Sequence, residues 1–373
     1  MLKGSLEDLF ISPNQPIRMA LECIDRGGLG IALIVDAERH LIGTISDGDI
    51  RRAMLAATDL ETKVAFLLER KANLYSKPVT ARLDTNRDTL LSLMRQYFVR
   101  EIPILDDDEH VIDLVVMDEL IPSGDLPIQA VIMAGGAGAR LRPLTEDMPK
   151  PMLPVGGKPL MEVLLGQMRD SGIRQVSITT HYHPEKIKEY FGNGEAVGVK
   201  LSYVNEEEPL GTGGALGLMT QPTEPMLVIN GDVLTRVDFR AFLAFHQDNH
   251  ADLTVAVRKY EHEVPYGVVE YEGVRVKSIQ EKPHVSFFVN AGIYLLEPVA
   301  HQYIPRGEHF NMTELIQRLL DAGRPVVGFP IREYWLDIGQ HAEYAKAQED
   351  VLNGLMELTP RKKGSGATKK AKN

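Results

Sequence analysis

Residues 131–160 read VIMAGGAGARLRPLTEDMPKPMLPVGGKPL, and this stretch places a buried strand directly before a glycine-rich loop and several cations. The apolar run at 130–134 predicts the strand. The backbone of the loop can approach a ligand closely at three glycines: Gly135, Gly136 and Gly138. Three cations come next: Arg140, Arg142 and Lys150. Backbone N–H groups that face phosphates, with fixed cations beside them, are typical of a nucleoside triphosphate site.

The spacing of these glycines excludes two common phosphate-binding loops. GxxxxGK[ST] is absent, and residues 136–141 read GAGARL, which does not complete GxGxxG. A bare GGxG also fits a tight strand-to-helix turn that requires glycine. Because the pattern GGxGxRLxPLT…PKPMLPVGGKP extends for about thirty residues, it favours a binding site over a turn alone.

This extended pattern resembles the signature of the sugar-1-phosphate nucleotidyltransferases, GGxGTRLxPLT…PKPxLPVxxKP. The chain departs from it once, since Ala139 stands where the family usually has Thr. The resemblance implies that Arg140 stabilises the leaving pyrophosphate and that Lys150 neutralises charge on the reacting phosphates. It also implies a nucleotide-binding loop with these members: Ala134, Gly135, Gly136 and Gly138.

Two carboxylates further along the chain match the family's metal ligands. The run VINGD at 228–232 ends a predicted strand at Asp232, and WLDIG at 335–339 contains Asp337. An Asp at a strand end is a common Mg²⁺ ligand near phosphates, although any single Asp more often caps a turn. By resemblance, Asp232 and Asp337 together hold one Mg²⁺, which is the cofactor we expect.

The segment EPLGTGGA at 208–215 resembles the part of the family that contacts the nucleobase with main-chain groups. The resemblance implies that Gly211 and Thr212 line the base pocket. A helix N-terminal turn capped by Thr212 is an interpretation compatible with this one.

Three later segments follow the family's order and imply a pocket for a sugar 1-phosphate: YGV at 266–268, EKP at 281–283 and NAGIY at 290–294. An isolated EKP would be read as surface charge, and a hairpin is predicted at 271–273 before it. The resemblance implies that the backbone of Gly267 and the carboxylate of Glu281 bind the sugar. It implies further that Lys282 holds the incoming phosphate and that Asn290 donates to a hydroxyl or acyl group.

Strands and helices alternate from residue 128 onwards, which predicts an α/β, Rossmann-like and mostly parallel sheet with helices on both faces. The expected strands are 131–134, 175–179, 200–204, 226–230 and 253–257, and the expected helices are 160–171 and 183–191. Ligands of such sheets bind at the carboxyl ends of the strands, where the motifs above fall.

Residues 1–122 contain an internal repeat. IALIVD at 31–36 is followed by AERHLIG, and EIPILD at 101–106 is followed by DDEHVID. A helical pattern precedes each copy, at 17–26 and at 88–98, and we expect a strand, an acidic turn, a second strand and a short helix in each. Two similar units this close usually pack against one another.

The repeat resembles a tandem pair of CBS domains, an α+β module that often binds adenine nucleotides. GTISDGDI in the first copy matches the family's G-x-x-[ST]-x-x-D, which implies contacts from Ser46 to phosphate or backbone and from Asp49 to ribose hydroxyls. The second copy departs, with Val116 and Glu119 at the equivalent positions. We therefore expect one adenine nucleotide site at most; a scaffold or dimer interface without a ligand is the alternative.

Composition and charge exclude several classes of protein. The net charge of −11 argues against a general nucleic-acid binder. No apolar run approaches the roughly 20 residues of a membrane span, and the polar N-terminus does not fit a secretory signal. Cys23 is the single cysteine and lies in an apolar helical pattern, so we expect a core residue and a cytoplasmic protein.

The expected organisation is a tandem CBS regulatory module at 1–122, a short linker at 123–127, a nucleotidyltransferase domain at 128–351 and a basic, disordered tail at 352–373. The Pro, Gly and Ser residues of IPSGDLP indicate the linker. We also expect a homo-oligomer, a dimer or a tetramer, because CBS pairs often associate.

The expected reaction joins a sugar 1-phosphate to an NTP and releases pyrophosphate. The form RLRPLT…PKPMLPV looks closer to guanylyltransferases and uridylyltransferases than to thymidylyltransferases, which favours GTP with a hexosamine 1-phosphate or mannose 1-phosphate. The fusion resembles the glucosamine-1-phosphate guanylyltransferases of legionaminic-acid and surface-glycan biosynthesis. Mannose-1-phosphate guanylyltransferase and uridylyltransferase activity, a transferase for another phosphate such as phosphocholine, and a non-catalytic nucleotide sensor remain alternatives.

Overall fold

The computed structural model describes residues 5–72, 77–97, 99–120 and 124–356, with the side chains of residues 72, 95 and 118 excepted. The chain divides into two compact units. The first comprises residues 1–124 with 241–249 and 328–330, and the second comprises 125–240, 250–327 and 331–373. Most of the predicted tail and part of the predicted linker lie outside the described residues.

The first unit consists of two copies of one motif, as the repeat predicted. Its elements are β1 (Phe10–Ile11), α1 (Ile17–Gly27), β2 (Ile31–Val35), β3 (Leu41–Ser46), α2 (Asp47–Leu55), α3 (Val64–Ala72), β4 (Ala81–Arg82), α4 (Arg87–Gln96), β5 (Glu101–Leu105), β6 (Val111–Val116) and α5 (Met117–Leu120). In each copy a short first strand pairs parallel with the second, which pairs antiparallel with the third.

The two copies meet at equivalent acidic turns. His40 and His110 form an isolated antiparallel bridge, and their rings stack with centroids 4.5 Å apart. Each ring contacts the aspartate four residues earlier, at 2.9 Å for Asp36 and 3.1 Å for Asp106. The hydrogen bond to the Asp36 carboxylate raises the pKa of His40. The turn sequences that revealed the repeat are therefore also a junction between its copies.

Apolar residues of α1, β2 and β3 form the core of the first copy, and Cys23 belongs to this core at 2% exposure. The Cys23 thiol donates to the carbonyl of Asp8 at 3.2 Å, which confirms a core role. Within the same unit the guanidinium of Arg51 is buried and lies 3.8 Å above the ring of Phe329.

Except for residues 241–249 and 328–330, which belong to the first unit, the remaining elements make up the second unit and alternate along the chain. Its strands are β7 (Gln129–Met133), β8 (Pro154–Val155), β9 (Lys158–Pro159), β10 (Gln175–Thr180), β11 (Lys200–Asn205), β12 (Met226–Asn230), β13 (Val233–Thr235), β14 (Leu253–Glu263), β15 (Val268–Glu272), β16 (Arg275–Gln280), β17 (His284–Leu296), β18 (Val326–Ile331) and β19 (Trp335–Asp337). The helices of this part of the chain are α6 (Leu160–Asp170), α7 (Pro184–Phe191), α8 (Gly211–Gly214), α9 (Phe239–Asp248), α10 (Pro298–His301), α11 (Met312–Asp321) and α12 (His341–Leu352). No described helix is long and apolar enough to cross a membrane.

Seven strands form one large sheet in the order β11-β10-β7-β12-β17-β14-β18. Strands β11, β10, β7 and β12 pair in parallel, and β17 pairs antiparallel with both of its neighbours. The predicted α/β class and mostly parallel sheet are confirmed. The sheet differs from the prediction at β17, which is antiparallel to its neighbours and was not predicted as a strand of this length.

Strand β17 is divided by an irregularity in its pairing with β14. Val255 pairs with Tyr294 and Val257 pairs with Asn290, so four steps on β17 oppose two steps on β14. Gly292 lies in this bulge with a φ of +70°, which favours glycine. Beyond the bulge the outer halves of both strands continue as an exposed two-stranded ribbon, and the predicted hairpin forms as β15 and β16. We call residues 258–289 the arm.

Candidate active site

The glycine-rich loop follows β7 and is held in place by hydrogen bonds to neighbouring segments. The backbone N–H of Ala134 donates to the carbonyl of Thr179 on β10 at 3.1 Å. Gly138 has a φ of +62°, and a Cβ built there would lie 3.2 Å from the Cβ of Lys150. The hydroxyl of Thr145 donates to the Gly138 carbonyl at 2.8 Å. The absence of a side chain at Gly138 therefore lets the loop lie directly against the segment that carries Lys150.

Lys150 and Asp232 form an ion pair in which the lysine is largely buried. Strand β13, next to Asp232, pairs antiparallel with β19, and Val233 lies opposite Asp337. The backbone N–H of Ile338 donates to the carbonyl of Asp232 at 3.0 Å. This pairing brings two carboxylates that are 105 positions apart in the sequence to one end of the sheet.

The charges in this cluster act on one another. Partial dehydration and the nearby Asp232 charge raise the pKa of Asp337, while Lys150 and Arg140 oppose this shift. A Cβ built at Gly339 would lie 3.7 Å from the Arg140 guanidinium, so Arg140 faces the start of this turn. Four predicted residues thus form one group of two carboxylates and two cations.

The two carboxylates fit a divalent cation that prefers oxygen ligands. The Oδ1 atom of Asp232 is buried and has no hydrogen-bond partner among the described residues. Its other oxygen is held by Lys150, and Asp337 presents a second carboxylate from β19. Carboxylate oxygens are the protein ligands that Mg²⁺ takes beside substrate phosphates. Asp232 and Asp337 are accordingly the residues that could hold this ion.

The predicted base segment forms the short helix α8 and is bonded to Asn311 and Met312 at the start of α11. Gly211 has a φ of +80°, and a Cβ built there would lie 2.7 Å from the Oδ1 atom of Asn311. The backbone N–H of Thr212 donates to the same oxygen at 3.2 Å. The Thr212 hydroxyl accepts from the N–H of Met312 at 3.1 Å. The hydroxyl and the N–H of Thr212 are therefore both bonded to the start of α11, which leaves the other main-chain groups of 211–212 as the candidate base contacts.

Glu206 is a buried carboxylate beside this segment that the sequence motifs did not single out. It is 4% exposed, and its Oε2 atom accepts from the backbone N–H of Leu210 at 3.0 Å. A Cβ built at Gly135 would lie 2.5 Å from its Oε1 atom. Glu206 thus contacts both the glycine-rich loop and the predicted base segment.

The residues predicted to bind the sugar lie on the arm and where the arm joins the large sheet. A Cβ built at Gly267 would lie 3.1 Å from an Oε atom of Glu281, so these two residues are neighbours. Lys282 is exposed and has a φ of +44°. Within the described residues, no hydrogen bond or ion pair joins Glu281 or Lys282 to the cluster of Lys150 and Asp232.

Asn290 lies at the bulge in β17, and the bulge is tied to the carboxylate strands. The Asn290 side chain accepts from the N–H of Gly292 at 3.0 Å. The indole N–H of Trp335 donates to the carbonyl of Ala291 at 2.9 Å. A Cβ built at Gly292 would lie 2.5 Å from the Asn230 side-chain nitrogen. Both carboxylate motifs therefore contact the predicted sugar segment through residues two positions before Asp232 and Asp337.

In the first unit, Ser46 and Asp49 cap helix α2. Each side chain bonds the backbone N–H of the other residue, at 3.3 Å to Ser46 Oγ and 2.9 Å to Asp49 Oδ2. Asp49 also contacts Lys71 at 2.8 Å and Arg52 at 2.7 Å. Burial raises the pKa of Asp49, but attraction by Lys71 and Arg52 outweighs it and lowers this pKa to about 2. Ser46 and Asp49 thus form a helix cap beside two cations.

Comparison with known proteins assigns the family. The nucleotidyl transferase family model matches residues 129–354, and a CBS domain model matches residues 6–56. The chain therefore belongs to the nucleotidyl transferase family and carries a CBS domain at its N-terminal end.

Among similar proteins is the mannose-1-phosphate guanylyltransferase of Mycobacterium tuberculosis, which is 35% identical over 61% of this chain and 66% of that protein. The D-glycero-alpha-D-manno-heptose 1-phosphate guanylyltransferase of Aneurinibacillus thermoaerophilus is 34% identical over 60% of this chain and 98% of that protein. The solved structure of HddC from Yersinia pseudotuberculosis is 29% identical over 60% of this chain and 98% of that one, with a TM-score of 0.48.

Proposed function

We propose that the protein transfers a nucleotidyl group from an NTP to a sugar 1-phosphate and releases pyrophosphate. The observation that carries this proposal is the cluster of Arg140, Lys150, Asp232 and Asp337 beside the glycine-rich loop. Ligands of parallel α/β sheets bind at this end of the strands.

The chemistry requires placement and charge neutralisation rather than a protein nucleophile. The phosphate of the sugar is already anionic, so its oxygen can attack the α-phosphorus in line while the bond to pyrophosphate breaks. Arg140 stabilises the negative charge of the departing pyrophosphate, and Lys150 contacts the reacting phosphates. Lys282 holds the incoming phosphate, and Glu281, Asn290 and the backbone of Gly267 bind the sugar.

The residues of the cluster fit a bound Mg²⁺, which Asp232 and Asp337 would hold. The ion supplies positive charge that polarises the phosphate oxygens. Lys150 then serves as a cation for the nucleotide phosphates as well as for Asp232.

We propose GTP as the nucleotide and a hexosamine 1-phosphate or mannose 1-phosphate as the acceptor. The support is the PKPMLPV form of the motif and the guanylyl transfer named for two similar proteins. Uridylyl transfer is the second candidate, because a UTP–glucose-1-phosphate uridylyltransferase of Synechocystis is 32% identical over 61% of this chain. We further propose a role in surface-glycan or nonulosonic acid biosynthesis, on the resemblance of the fused CBS module, and a location in the cytoplasm.

A pyrophosphate-release assay tests the proposal. Purified protein with Mg²⁺ is given ATP, GTP, UTP, CTP and dTTP, each with glucosamine, N-acetylglucosamine, mannose, heptose and glucose 1-phosphates. We expect release with one nucleotide and a narrow set of sugars, and loss of release in Asp337→Asn. If the folded wild-type protein releases no pyrophosphate with any pair in the panel, the result would contradict the proposal and favour a non-catalytic nucleotide sensor.

We also propose that the first repeat binds an adenine nucleotide at Ser46 and Asp49 and thereby alters the rate of transfer. The supporting observation is that Lys71 and Arg52 lie against Asp49, where they could also meet phosphates. Rates measured against ATP, ADP and AMP in wild type and Asp49→Asn test this. If both proteins have the same transfer rate at all concentrations of these nucleotides, the result would contradict regulation and indicate that the repeat is a scaffold.

A further inference from the structure

The segment 139–150 carries both cations of the cluster, with Arg140 near its start and Lys150 at its end. We call this segment the cation loop. Its residues 142–148 are exposed with the exception of Thr145, which is fully buried. A segment that buries so little apolar surface depends on its polar contacts for a defined position. The contacts of Thr145 are therefore decisive for where the cation loop lies.

Thr145 is bonded to the turn that carries Arg140. The Thr145 hydroxyl donates to the carbonyl of Gly138 at 2.8 Å, and the backbone N–H of Leu141 donates to the same carbonyl at 2.9 Å. The second of these bonds closes a short 3₁₀ helix at residues Ala139–Leu141, in which Arg140 is the middle residue. A shift of Thr145 therefore displaces the start of this helix and with it Arg140.

The phenol of Tyr182 holds Thr145 from the opposite side. Tyr182 lies between β10 and α7, and its O–H group is shared between two successive carbonyls, that of Thr145 at 3.1 Å and that of Glu146 at 2.6 Å. Lys186 in the first turn of α7 donates to the next carbonyl, that of Asp147. Three successive carbonyls of the cation loop thus accept hydrogen bonds from one short stretch of the chain.

We propose that Tyr182 is a positioning residue for Arg140 and acts through it on the departing pyrophosphate. This inference rests on the proposed nucleotidyl transfer. Developing charge is stabilised best by groups that are already in place when the charge forms, and a small displacement of such a group lowers the rate steeply. Because the Tyr182 hydroxyl already bonds the cation loop, its effect reaches the phosphates through that loop and not by contact with them.

The variant Tyr182→Phe tests the inference, because it removes the hydroxyl and keeps the ring. Tyr203→Phe is the matched control: its phenol is also half-buried and donates to a backbone carbonyl, that of Gly192, at 2.8 Å just beyond the other end of α7. We expect Tyr182→Phe to lower kcat about tenfold with the KM for the sugar 1-phosphate unchanged, and Tyr203→Phe to keep the wild-type kcat. An equal loss of kcat in both variants would overturn the inference.

Calorimetric binding of pyrophosphate in the presence of Mg²⁺ requires no turnover and isolates the contact with Arg140. We expect Tyr182→Phe to weaken pyrophosphate binding about fivefold when Arg140 is present. In an Arg140→Ala background the same change should weaken binding less than about twofold, because residues that act as one unit are not additive. Equal weakening in both backgrounds, or unchanged binding in the single variant, would overturn the positioning role.

The two experiments distinguish failure of this inference from failure of the proposed function. If Tyr182→Phe weakens pyrophosphate binding only when Arg140 is present, the inference is supported even if no sugar phosphate is turned over, and only the proposed transfer fails. If wild type and Tyr182→Phe turn over at the same rate, the transfer reaction stands and the role of Tyr182 is overturned.

Discussion

Replacing Lys150 with Met tests whether the ion pair with Asp232 organises the cluster. The substitution keeps the length of an unbranched side chain and its packing against Gly138, and it removes the charge. Asp232 then keeps a carboxylate with one buried oxygen that already lacks a partner and another that has lost its cation.

The structure gives the expected size of the effect. Breaking a fully buried ion pair costs about 3–5 kcal/mol, because the remaining charge is uncompensated. The Lys150 side chain is 10% exposed and that of Asp232 is 26% exposed, so water screens part of the remaining charge. We therefore expect Lys150→Met to lower the free energy of unfolding by about 2 kcal/mol at pH 7 in EDTA. The double variant Lys150→Met/Asp232→Asn should recover most of this loss.

Guanidinium chloride titrations followed by tryptophan fluorescence measure this effect. Trp335 is the single tryptophan and lies two residues before Asp337 in β19, so its signal reports on the second unit. Lys259→Met is the control, because its pair with Glu261 is exposed on both sides and should change stability by no more than about 0.5 kcal/mol. Equal losses in Lys150→Met and Lys259→Met, or additive losses in the double variant, would refute the reasoning.

Three further predictions address the site and the repeat. Arg140→Ala should lower kcat at least about 100-fold, with the unfolding curve unchanged, because its exposed guanidinium acts on developing charge; steady-state kinetics within threefold of wild type would contradict this. Gly211→Ala should destabilise the protein by about 2 kcal/mol, because the φ of +80° is unfavourable for alanine and the new Cβ would clash with Asn311. Gly273→Ala is the control, since Gly273 also has a positive φ but has open space around it, and it should cost about 1 kcal/mol in the same denaturation assay. Asp49 has a folded-state pKa of about 2, below its ordinary value, so its contribution of about 2 kcal/mol to stability is complete at pH values above that ordinary value and is lost as pH falls towards 2. In Asp49→Asn the free energy of unfolding should therefore depend less steeply on pH in the acid range. An unchanged slope would exclude this contribution.

The sequence predicted the elements whose signal is local. Strand β12 occupies 226–230 as expected, and α6 ends within one residue of its predicted boundary. These segments are apolar runs bounded by glycine or polar residues, so burial and boundary are both encoded within a few positions. The paired acidic turns of the repeat were recognisable for the same reason.

The sequence did not reveal contacts between distant segments. Glu206 stands in the run EEE, which reads as a solvated surface, and only its place after β11 shows that it is buried. Asn311 fixes Thr212 from 99 positions away, and no local pattern indicates that pairing. The full length of β17 was missed because its outer half is exposed and lacks the alternation that marks a half-buried strand.

The bulge at Gly292 divides β17 into two parts that belong to different substructures. Residues after it belong to the large sheet beside β12, and residues before it form the arm with Glu281 and Lys282. The arm begins and ends on two adjacent, paired strands, and Arg258 at its start donates to the carbonyls of Ile331 and Glu333 at 3.1 Å. A transplanted arm must therefore match two strand ends and keep Arg258. For protein engineering, grafting residues 258–289 from a relative would test whether the arm sets the proposed acceptor sugar, and it leaves the pair of Lys150 and Asp232 unchanged.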